Sequence, residues 1–584
     1  MIMSEVAAPV IKEAQYSPLG LKAFTDEIKN TSLGELLLDY PTVYIIYKKN
    51  KKDMYDVYVG ETNNIRQRTT QHLLEDPKTR SDWDAFRADK STKMIVIGHD
   101  RFNKSLTLDI ENKMMLYMSG VSSVGNLNNR RENDQNKYFT ENDRDDIFSK
   151  VWRKLRKLDN RLFPLEQIIR DSALFKASPF HKLTQEQFDA KNLVQDRITK
   201  VLLAGEEDQL ILVQGEAGSG KTVLLSTIFY QMFQYSKSKD HSQFSDLKMN
   251  LIVNHDEQLK VYKDILIKLG ITDSKDQDTV SKATRFINNH DSKNKVDIVL
   301  VDEAHLLWTQ GKQAYRGKNQ LDDIMARSKV TVAIFDPKQV LKTEEYLEET
   351  DIENIRNRSK RQGNFIELKN QLRVQADNQT IDWIRAITDS RRQILPFHAD
   401  SKRYDLKVFD DAAEMYRQIK QKNADQENSG ISRLVATFDW KYTQNKRKDG
   451  KYWMVNAGNL SLPWNLQLKA ERSIEKLAWP EQSQTIDEIG STYTIQGFDL
   501  NYCGVIIGPS VTYRDGRVQF DPEKSKNKNA TRQRSLANGE KVVVSDELLA
   551  NELNVLLTRG VNGLYIYAVD DALRNKLFEI FSAK

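Results

Sequence analysis

A glycine-rich turn that ends in Lys-Thr carries the clearest chemistry in this sequence. Residues 215–222 read Gly-Glu-Ala-Gly-Ser-Gly-Lys-Thr, after the apolar run 210–213 and before the helix-like stretch 223–229. A strand, such a turn and a helix form a P-loop, in which backbone N–H groups and the helix N-terminus bind phosphate. The pattern therefore predicts a nucleoside triphosphate site, with Lys221 at the β- and γ-phosphates and Thr222 on Mg²⁺. The glycines that let the backbone approach the phosphates are Gly215, Gly218 and Gly220.

Two acids follow a second apolar run further along the chain. Residues 297–301 read Asp-Ile-Val-Leu-Val, and Asp302 and Glu303 come directly after them. Ligands of an open parallel sheet bind at the carboxyl ends of its strands, so both acids are expected beside the P-loop. We predict that Asp302 orders Mg²⁺ and that Glu303 polarises the water that attacks the γ-phosphate.

From the P-loop onward the sequence resembles a superfamily 1 helicase motor. The segments that carry this resemblance follow one another in the order of the family, at residues 215–222, 250–255, 302–305, 330–339, 368–373, 491–499 and 554–560. The branch that it resembles most closely is the Schlafen-like ATPases of bacteria, on residues 433–440, 462–465 and 494–497. The resemblance covers about residues 180–584 and implies an ATP-driven motor that acts on nucleic acid.

The resemblance also implies roles for single residues. Gln339 matches the γ-phosphate sensor, and Gly497 lies in the motif that couples the nucleotide to the bound strand. Arg373 and Arg559 match the arginines that stabilise the transferring phosphate, an effect of roughly 10³–10⁵-fold for an arginine finger. Leu372 stands where the family has an aromatic residue. Because both arginines lie far along the chain, a second lobe is expected to supply them.

Two glutamines compete for recognition of the adenine base. Residues 184–187 read Thr-Gln-Glu-Gln, which resembles one form of the family's glutamine motif, and Gln195 lies nearer the P-loop. The usual spacing slightly favours Gln195.

The N-terminal part of the chain carries tyrosines on a predicted β-hairpin. Residues 41–47 and 56–60 are β-branched and aromatic runs on either side of a charged turn, and a helix-like stretch with Arg68 and His72 follows. This order resembles the GIY-YIG nuclease fold. The first motif reads Thr-Val-Tyr at 42–44 instead of Gly-Ile-Tyr, and the second ends at Gly60.

Phosphodiester cleavage needs an activated water, a Lewis acid and a cation for the developing charge. The GIY-YIG resemblance implies that Glu111 holds Mg²⁺ or Mn²⁺, that Tyr58 or Tyr44 handles the proton of the water, and that Arg68 binds the scissile phosphate. Asn126 stands in the segment that matches the family's Asn motif. His72 is open to two interpretations, a supporting group of the site or a solvated helix residue.

Composition excludes several classes of protein. The chain has 584 residues, a net charge of +5 and one cysteine, Cys503, so it cannot form an intramolecular disulfide. It has no apolar run of 18 residues, and the first residues do not resemble a signal peptide. We therefore expect a cytoplasmic protein without membrane contact, whose mild basicity is compatible with nucleic acid.

The expected fold is α/β, with a small α+β nuclease domain followed by two RecA-like lobes of doubly wound parallel sheet. The predicted organisation is an N-terminal helical segment at 1–40, a nuclease domain at 41–130, a charged linker or helix at 131–180, a first lobe at 181–355 and a second lobe with inserts at 356–584. A basic stretch, residues 524–534, is one of those inserts and is either a solvated loop or a contact for phosphates.

The function that we favour is an ATP-dependent helicase or translocase fused to a metal-dependent endonuclease. Its expected partner is DNA rather than RNA, with an oligomer or a partner protein also conceivable, and analogy indicates phage defence or genome maintenance. Three alternatives stay open: an ATP-gated sensor that never unwinds, a scaffold with a degenerate nuclease domain, and a nuclease that processes RNA.

Overall fold

In a computed structural model, the chain folds as two compact units. The first comprises residues 1–182 and 261–276, and the second comprises 183–260 and 277–584. The structure describes residues 6–129, 138–237, 244–276, 278–311, 315–427, 429–443, 449–472, 474–475, 477–536 and 540–582. Residues 131–137 of the predicted linker lie outside these ranges.

The first unit is built on a five-stranded sheet in the order β1-β4-β2-β3-β5. Its strands are β1 (Val10–Gln15), β2 (Thr42–Lys49), β3 (Tyr55–Thr62), β4 (Lys93–Gly98) and β5 (Val124–Leu127). Its helices are α1 (Pro18–Ile28), α2 (Ser32–Leu38), α3 (Ile65–Leu74), α4 (Ser81–Ala88), α5 (Lys104–Gly120), α6 (Arg144–Leu158), α7 (Glu166–Asp171) and α8 (Ala173–Lys176).

The tyrosine hairpin is the centre of this unit. Strands β2 and β3 pair antiparallel, with Tyr44 opposite Gly60. A Cβ atom on Gly60 would lie 2.4 Å from the Tyr44 hydroxyl oxygen, so glycine leaves the room that the tyrosine ring needs. Thr42, where the family has glycine, begins β2 with a buried side chain and no positive φ angle. The strand therefore accommodates this departure from the family motif.

The charged stretch that follows the hairpin contains a buried helix. The apolar face of α6 buries Phe148, Val151 and Trp152, while Asp145 and Asp146 stand in its first turn and Arg156 and Lys157 in its last. Acids near a helix N-terminus and cations near its C-terminus are favourable for the helix dipole. The high charge that predicted a linker thus belongs to the outer face of a helix in the nuclease unit.

The first sheet of the second unit has the order β11-β6-β10-β9-β7-β8, and all its strand pairs are parallel. Its strands are β6 (Gln209–Gly215), β7 (Met249–Val253), β8 (Val280–Ser281), β9 (Val296–Asp302), β10 (Ser328–Phe335) and β11 (Phe365–Leu368). Its helices are α9 (Gln185–Ala204), α10 (Lys221–Lys237), α12 (Ala283–Asn289), α13 (Gln320–Met325) and α14 (Glu349–Arg361). Helix α11 (Asp256–Lys268) begins in this unit, and its residues from 261 onward belong to the first unit.

The second sheet, in the order β12-β22-β17-β13-β16, is also entirely parallel. Small two-stranded ribbons are inserted around it. Its strands and those of the ribbons are β12 (Asp405–Val408), β13 (Ser432–Ala436), β14 (Met454–Ala457), β15 (Leu460–Pro463), β16 (Ile489–Gly490), β17 (Leu500–Ile507), β18 (Val511–Arg514), β19 (Arg517–Phe520), β20 (Arg534–Ser535), β21 (Lys541–Val542) and β22 (Gly560–Ala568). Its helices are α15 (Asn378–Ala386), α16 (Ala412–Ala424), α17 (Thr492–Ile495), α18 (Lys528–Thr531), α19 (Ser545–Leu557) and α20 (Asp571–Ser582).

Two parallel sheets preceded by a small α+β domain confirm the predicted fold class. Each sheet consists of nearly continuous apolar strands, as expected where helices cover both faces. Among the residues that the structure describes, no helix combines the length and the apolar character needed to cross a membrane.

One buried cation ties residues 261–276 into the nuclease unit. The Lys268 amine, at the end of α11, donates hydrogen bonds to the carbonyl oxygens of Ser119 and Val121, at 3.1 and 2.7 Å. These carbonyls lie at the C-terminal end of α5, where helix carbonyls have no partner within the helix. Burial lowers the pKa of Lys268 to about 8.

We predict that Lys268→Met destabilises the end of α5 by about 1–3 kcal/mol, because two buried carbonyls lose their donor. Hydrogen exchange of the amides in residues 115–121 of the full-length protein measures this locally. Lys260→Met on the same helix is the control, since Lys260 is largely exposed and pairs with Glu257. Equal protection in both variants would contradict the role assigned to Lys268.

Candidate active sites

The P-loop connects β6 to α10 and holds its lysine in place. The Lys221 amine donates to the carbonyl oxygens of Gly215 and Glu216, both at 2.7 Å, and lies 3.6 Å from an Asp336 carboxylate oxygen. Gly218 and Gly220 have φ angles of +84° and +75°, a region that glycine enters without steric cost. The loop therefore presents a buried cation at the carboxyl end of the first sheet.

The two predicted acids follow β9, beside the P-loop. The Thr222 hydroxyl lies 3.5 Å from an Asp302 carboxylate oxygen, and Asp302 also accepts a hydrogen bond from the Glu303 amide. A hydroxyl and a carboxylate are the oxygen donors that Mg²⁺ takes beside a triphosphate. Thr222 and Asp302 thus fit the metal that the sequence predicted for them.

Glu303 is placed as an ionised acceptor. It has a positive φ of 49°, which turns its side chain towards His305, 3.0 Å away. Burial alone would raise its pKa, but the His305 charge and hydrogen bond, with the charges of Lys221 and Arg559, hold the pKa well below its ordinary value. An ionised carboxylate in this position can accept a proton or a hydrogen bond from an attacking water.

Arg559 reaches the same cleft from the second sheet. It is fully buried, and its guanidinium donates to Val555 O at 3.0 Å, to Phe498 O at 3.2 Å and to Gln339 Oε1 at 3.2 Å. Gln339 in turn donates to Asp336 at 2.7 Å. Burial and then the neighbouring Arg373 lower the pKa of Arg559 to about 9. The predicted sensor and the predicted finger are therefore joined directly.

Arg373 lies against the P-loop from the other side. A Cβ atom on Gly218 would be 2.6 Å from the Arg373 Cβ atom, and the Arg373 guanidinium forms an ion pair with Asp499. Gly497, two residues earlier, has a φ of +86°, and a Cβ atom there would lie 3.0 Å from the Gln258 side chain. The segment that contains Gly497 is thus linked to the phosphate-binding loop through one ion pair.

The structure places the two candidate glutamines differently from the prediction. Gln195 lies on α9 and donates to Gln231 on α10, at 2.7 Å, whereas Gln187 reaches the P-loop. The Gln187 amide nitrogen lies 3.3 Å from Ser219 O and 3.4 Å from Gly220 O, and its oxygen accepts from the Thr184 amide. The capping box with Thr184 fixes Gln187 at the start of α9. Gln187 is therefore the candidate that contacts the P-loop, and recognition of adenine by either glutamine stays a prediction.

In the nuclease unit, a tyrosine, a histidine and a carboxylate form a chain. The Tyr44 hydroxyl lies 2.7 Å from Nε2 of His72, and Nδ1 of His72 lies 2.5 Å from Asp76 Oδ2. His72 is fully buried and stacks on Trp83, with ring centroids 3.7 Å apart. This excludes the interpretation of His72 as a solvated surface residue.

The protonation of this chain follows from its surroundings. Burial and the Arg68 charge lower the pKa of His72 to about 4, against the opposing effect of Asp76. His72 is therefore neutral at neutral pH. Because Asp76 accepts from Nδ1, the proton resides there, and Nε2 accepts from the Tyr44 hydroxyl.

The other predicted nuclease residues surround Tyr44. Burial raises the pKa of both Tyr44 and Tyr58, the nearby Arg68 guanidinium lowers both, and the charge of Glu111 raises both. Tyr58 is 9% exposed and Tyr44 is 1% exposed, so Tyr58 is the one closer to solvent. Four predicted residues from β2, β3, α3 and α5 thus come together in one place.

Asn126 does not join this group in the way predicted. Its amide donates to Asp56 at 2.6 Å. Asn129 is instead buried, and it donates to Val59 O at 2.6 Å and accepts from Val59 N at 3.0 Å, beside Tyr58. Asn126 lies on β5 directly opposite Asp56 of β3, whereas Asn129, two residues beyond the end of β5 at Leu127, reaches the backbone of β3 further along, at Val59. We assign the structural role of the motif to Asn129.

The residues of the nuclease site fit a metal ion that is bound by one protein carboxylate and otherwise by water and substrate phosphate. Among the described residues, no cluster of three or more His, Cys, Asp or Glu side chains forms a ready-made metal site. Mg²⁺ is commonly bound through one or two carboxylates, with water and substrate phosphate filling its other positions. The partly exposed Glu111 carboxylate is consistent with that mode of binding.

Both the N-terminal and the C-terminal parts of the chain match known protein families. Residues 208–570 match the family described as Schlafen group 3, DNA/RNA helicase domain, and residues 40–115 match the GIY-YIG catalytic domain. The uncharacterized protein YPL245W of Saccharomyces cerevisiae is 35% identical over 400 residues, which cover 63% of this chain and 83% of that protein.

Two solved helicases are similar to this chain at low identity and low structural overlap. The arterivirus nonstructural protein 10 helicase is 12% identical over 65% of this chain and 63% of its own, with a TM-score of 0.24. A Pif1 helicase, solved in a study of unwinding at forked double-stranded DNA, is 12% identical over 69% of this chain and 97% of its own, with a TM-score of 0.25. TM-scores this low do not bear on the chemistry of this chain.

The match over residues 208–570 spans more than half of the sequence. The chain therefore belongs to the Schlafen group 3 helicase family, and it is an enzyme that combines this ATPase domain with a GIY-YIG endonuclease domain.

Proposed function

We propose that this protein is an ATP-driven motor that moves on nucleic acid, preferably DNA, and carries a metal-dependent nuclease. The observation that carries the proposal is the contact between Arg559 and Gln339, which brings a cation from the second sheet to the carboxyl end of the first. The contacts between the two sheets in such a cleft change when a triphosphate binds, and they change again when it is hydrolysed. A cycle of this kind is what a motor requires.

In the motor site, the residues divide the work by position. Lys221 neutralises the β- and γ-phosphates, Thr222 and Asp302 hold Mg²⁺, and Glu303 orients the attacking water. Arg559, whose hydrogen bonds in this structure go to neutral oxygens, gains an anionic partner when the γ-phosphate enters. Because the cleft excludes water, that charge interaction is stronger than it would be in solvent.

In the nuclease site, the hydrogen-bonded chain gives Tyr44 a route for its proton. A bound Mg²⁺ or Mn²⁺ would be held by Glu111 and would polarise the scissile phosphate. Tyr58 contacts the attacking water, Tyr44 connects Tyr58 to His72, and Asp76 keeps the His72 lone pair directed at Tyr44. Arg68 binds the phosphate that is cleaved.

The biological setting follows from resemblance alone. A role in phage defence or genome maintenance, a cytoplasmic location and association with a partner stay predictions. ATP hydrolysis without strand displacement would favour the sensor alternative, and nucleic-acid binding without cleavage would favour the scaffold. The experiment that separates these outcomes uses purified protein with ATP and Mg²⁺ or Mn²⁺ on labelled single- and double-stranded DNA and RNA.

Lys221→Ala should abolish ATP hydrolysis, because the cation that neutralises the phosphates is lost. Glu303→Gln should still bind ATP but hydrolyse it at least about 10²-fold more slowly, as expected for loss of a group that orients water. Steady-state phosphate release and fluorescent ATP binding measure the two effects. Lys200→Ala is the control, since Lys200 is exposed and pairs with the exposed Asp196 on α9. ATP turnover like that of the wild type in either active-site variant would refute the motor assignment.

Gln187→Glu should raise the KM for ATP about tenfold, because it replaces an amide donor by a carboxylate facing the Ser219 and Gly220 carbonyls. Glutamate keeps the oxygen that accepts from Thr184, so the cap of α9 is preserved. Gln195→Glu is the matched control and should leave the KM unchanged. The opposite result would restore Gln195 as the nucleotide-binding residue.

Asp76→Asn should lower the cleavage rate by about 10²–10⁴-fold, because the amide no longer requires a proton on Nδ1 of His72. The His72 proton can then move to Nε2, which would block acceptance from Tyr44. Glu111→Ala should lower cleavage at least as much, by removing the metal ligand. Asp84→Asn, an exposed partner of Arg87, is the control. ATP hydrolysis should be unchanged in all three variants, and cleavage by Glu111→Ala at the wild-type rate would show that the nuclease site is wrongly placed.

A further inference from the structure

In residues 524–528 of the second unit, exposed lysines alternate with buried polar residues. Ser525 is 8% exposed and Asn527 is 2% exposed, whereas Lys524, Lys526 and Lys528 are exposed. The alternation means that the segment is fixed by its polar residues and turns its three cations to solvent. The buried side chains of Ser525 and Asn527 distinguish this segment from a loop that is solvated along its whole length.

The anchors connect this segment to an aromatic loop. The carbonyl oxygen of Phe438 accepts a hydrogen bond from the Lys526 amide at 2.9 Å and from the Ser525 hydroxyl at 3.4 Å. The Asn527 amide donates to Glu552 Oε2 at 2.6 Å, and the Phe438 amide donates to the other oxygen of Glu552 at 2.5 Å. One buried carboxylate, Glu552, therefore holds both loops.

Aromatic residues lie on and beside the loop to which the lysine segment is anchored. Phe438 contacts Tyr493, with ring centroids 5.6 Å apart and nearly perpendicular planes, and the Tyr493 hydroxyl donates to Asn527. Trp440, two residues after Phe438, is partly exposed and donates to Asn456 O at 3.1 Å. The exposed Lys441 extends the positive charge along this loop.

Cations interleaved with partly exposed aromatic rings suit a single strand of nucleic acid. Lysines bind its phosphates, and its unpaired bases offer faces that stack on aromatic side chains. In a duplex the base faces are stacked inside the helix and cannot contact these rings. An acidic protein would pair with the lysines but would leave the aromatic rings without a stacking partner. Lys524 also lies 3.6 Å from an Asp521 carboxylate oxygen at the surface. Of the other cations in the stretch, Arg532 pairs with Glu344, and Arg534 donates to Thr343 O at 2.5 Å.

We propose that residues 438–442 and 524–528 form a strand-binding surface for single-stranded nucleic acid. Lys524, Lys526 and Lys528 hold phosphates, and Trp440 stacks on a base. This inference rests on the proposed motor function and adds to it the place where the strand lies.

The test is the salt dependence of binding to labelled oligothymidylate. The triple variant Lys524→Gln, Lys526→Gln, Lys528→Gln should bind at least about tenfold more weakly at 0.1 M salt. Its slope of log K against log salt should be shallower by about 2, since each phosphate contact on a single strand contributes about 0.7. Its ATP hydrolysis without nucleic acid should equal that of the wild type.

Three exposed lysines elsewhere in the second unit, changed together, provide the matched control: Lys248→Gln, Lys293→Gln, Lys407→Gln. Trp440→Ala should weaken binding without changing the slope, because it removes a stacking surface and no cation, and Trp440→Phe should restore binding.

The outcomes separate the inference from the function on which it rests. Wild-type protein that binds no oligonucleotide, DNA or RNA, would refute the motor proposal itself. Wild-type protein that binds, with the same salt slope in the triple variant and the wild type, would refute this surface alone. An unchanged affinity in Trp440→Ala would remove the stacking role.

Discussion

The Arg559 guanidinium is the constraint around which the motor half is organised. A fully buried cation whose hydrogen bonds go to two carbonyl groups and one amide oxygen is held at a cost, as its lowered pKa shows. Its position is set by α19 and β22 in the second sheet, while its partner Gln339 belongs to the first. Two parallel sheets are thereby brought to a common cleft, and an anion placed there would relieve the unpaired charge.

In the nuclease unit, burial fixes the positions of Tyr44 and His72. Tyr44 is buried, and its hydroxyl contacts the His72 side chain instead of solvent. Trp83 stacks on His72 and fixes the ring, and Asp76 fixes the tautomer. The small residue at Gly60 makes this packing possible, since any side chain there would collide with the Tyr44 ring.

One helix links the nucleotide to the proposed strand-binding surface. Helix α19 carries Glu552, which holds the loops at 438 and 527, and Arg559 follows directly after its end. Helix α19 thus carries the carboxylate that anchors the proposed surface and ends close to the arginine of the nucleotide cleft.

Features that are formed by residues close together in the sequence could be predicted from the sequence alone. A strand, a glycine-rich turn and a helix must follow one another to make a P-loop, so residues 215–222 could be read directly. The same holds for Asp302 and Glu303 at a strand end and for the tyrosine hairpin. The fold class and the family followed from the order of such segments, and structure and comparison confirm both.

Only the tertiary structure decided which of several similar residues reaches a site. Gln187 and Gln195 both lie on α9, but the cap at Thr184 puts Gln187 beside the P-loop, whereas Gln195 contacts Gln231 on α10. Asn126 contacts Asp56, whereas Asn129, beyond the end of β5, contacts the backbone of Val59 beside Tyr58. The partnership of His72 with Asp76 could be read as an ordinary i, i+4 surface pair until burial was known. Side-chain direction and burial depend on packing between distant segments, which spacing along the chain does not encode.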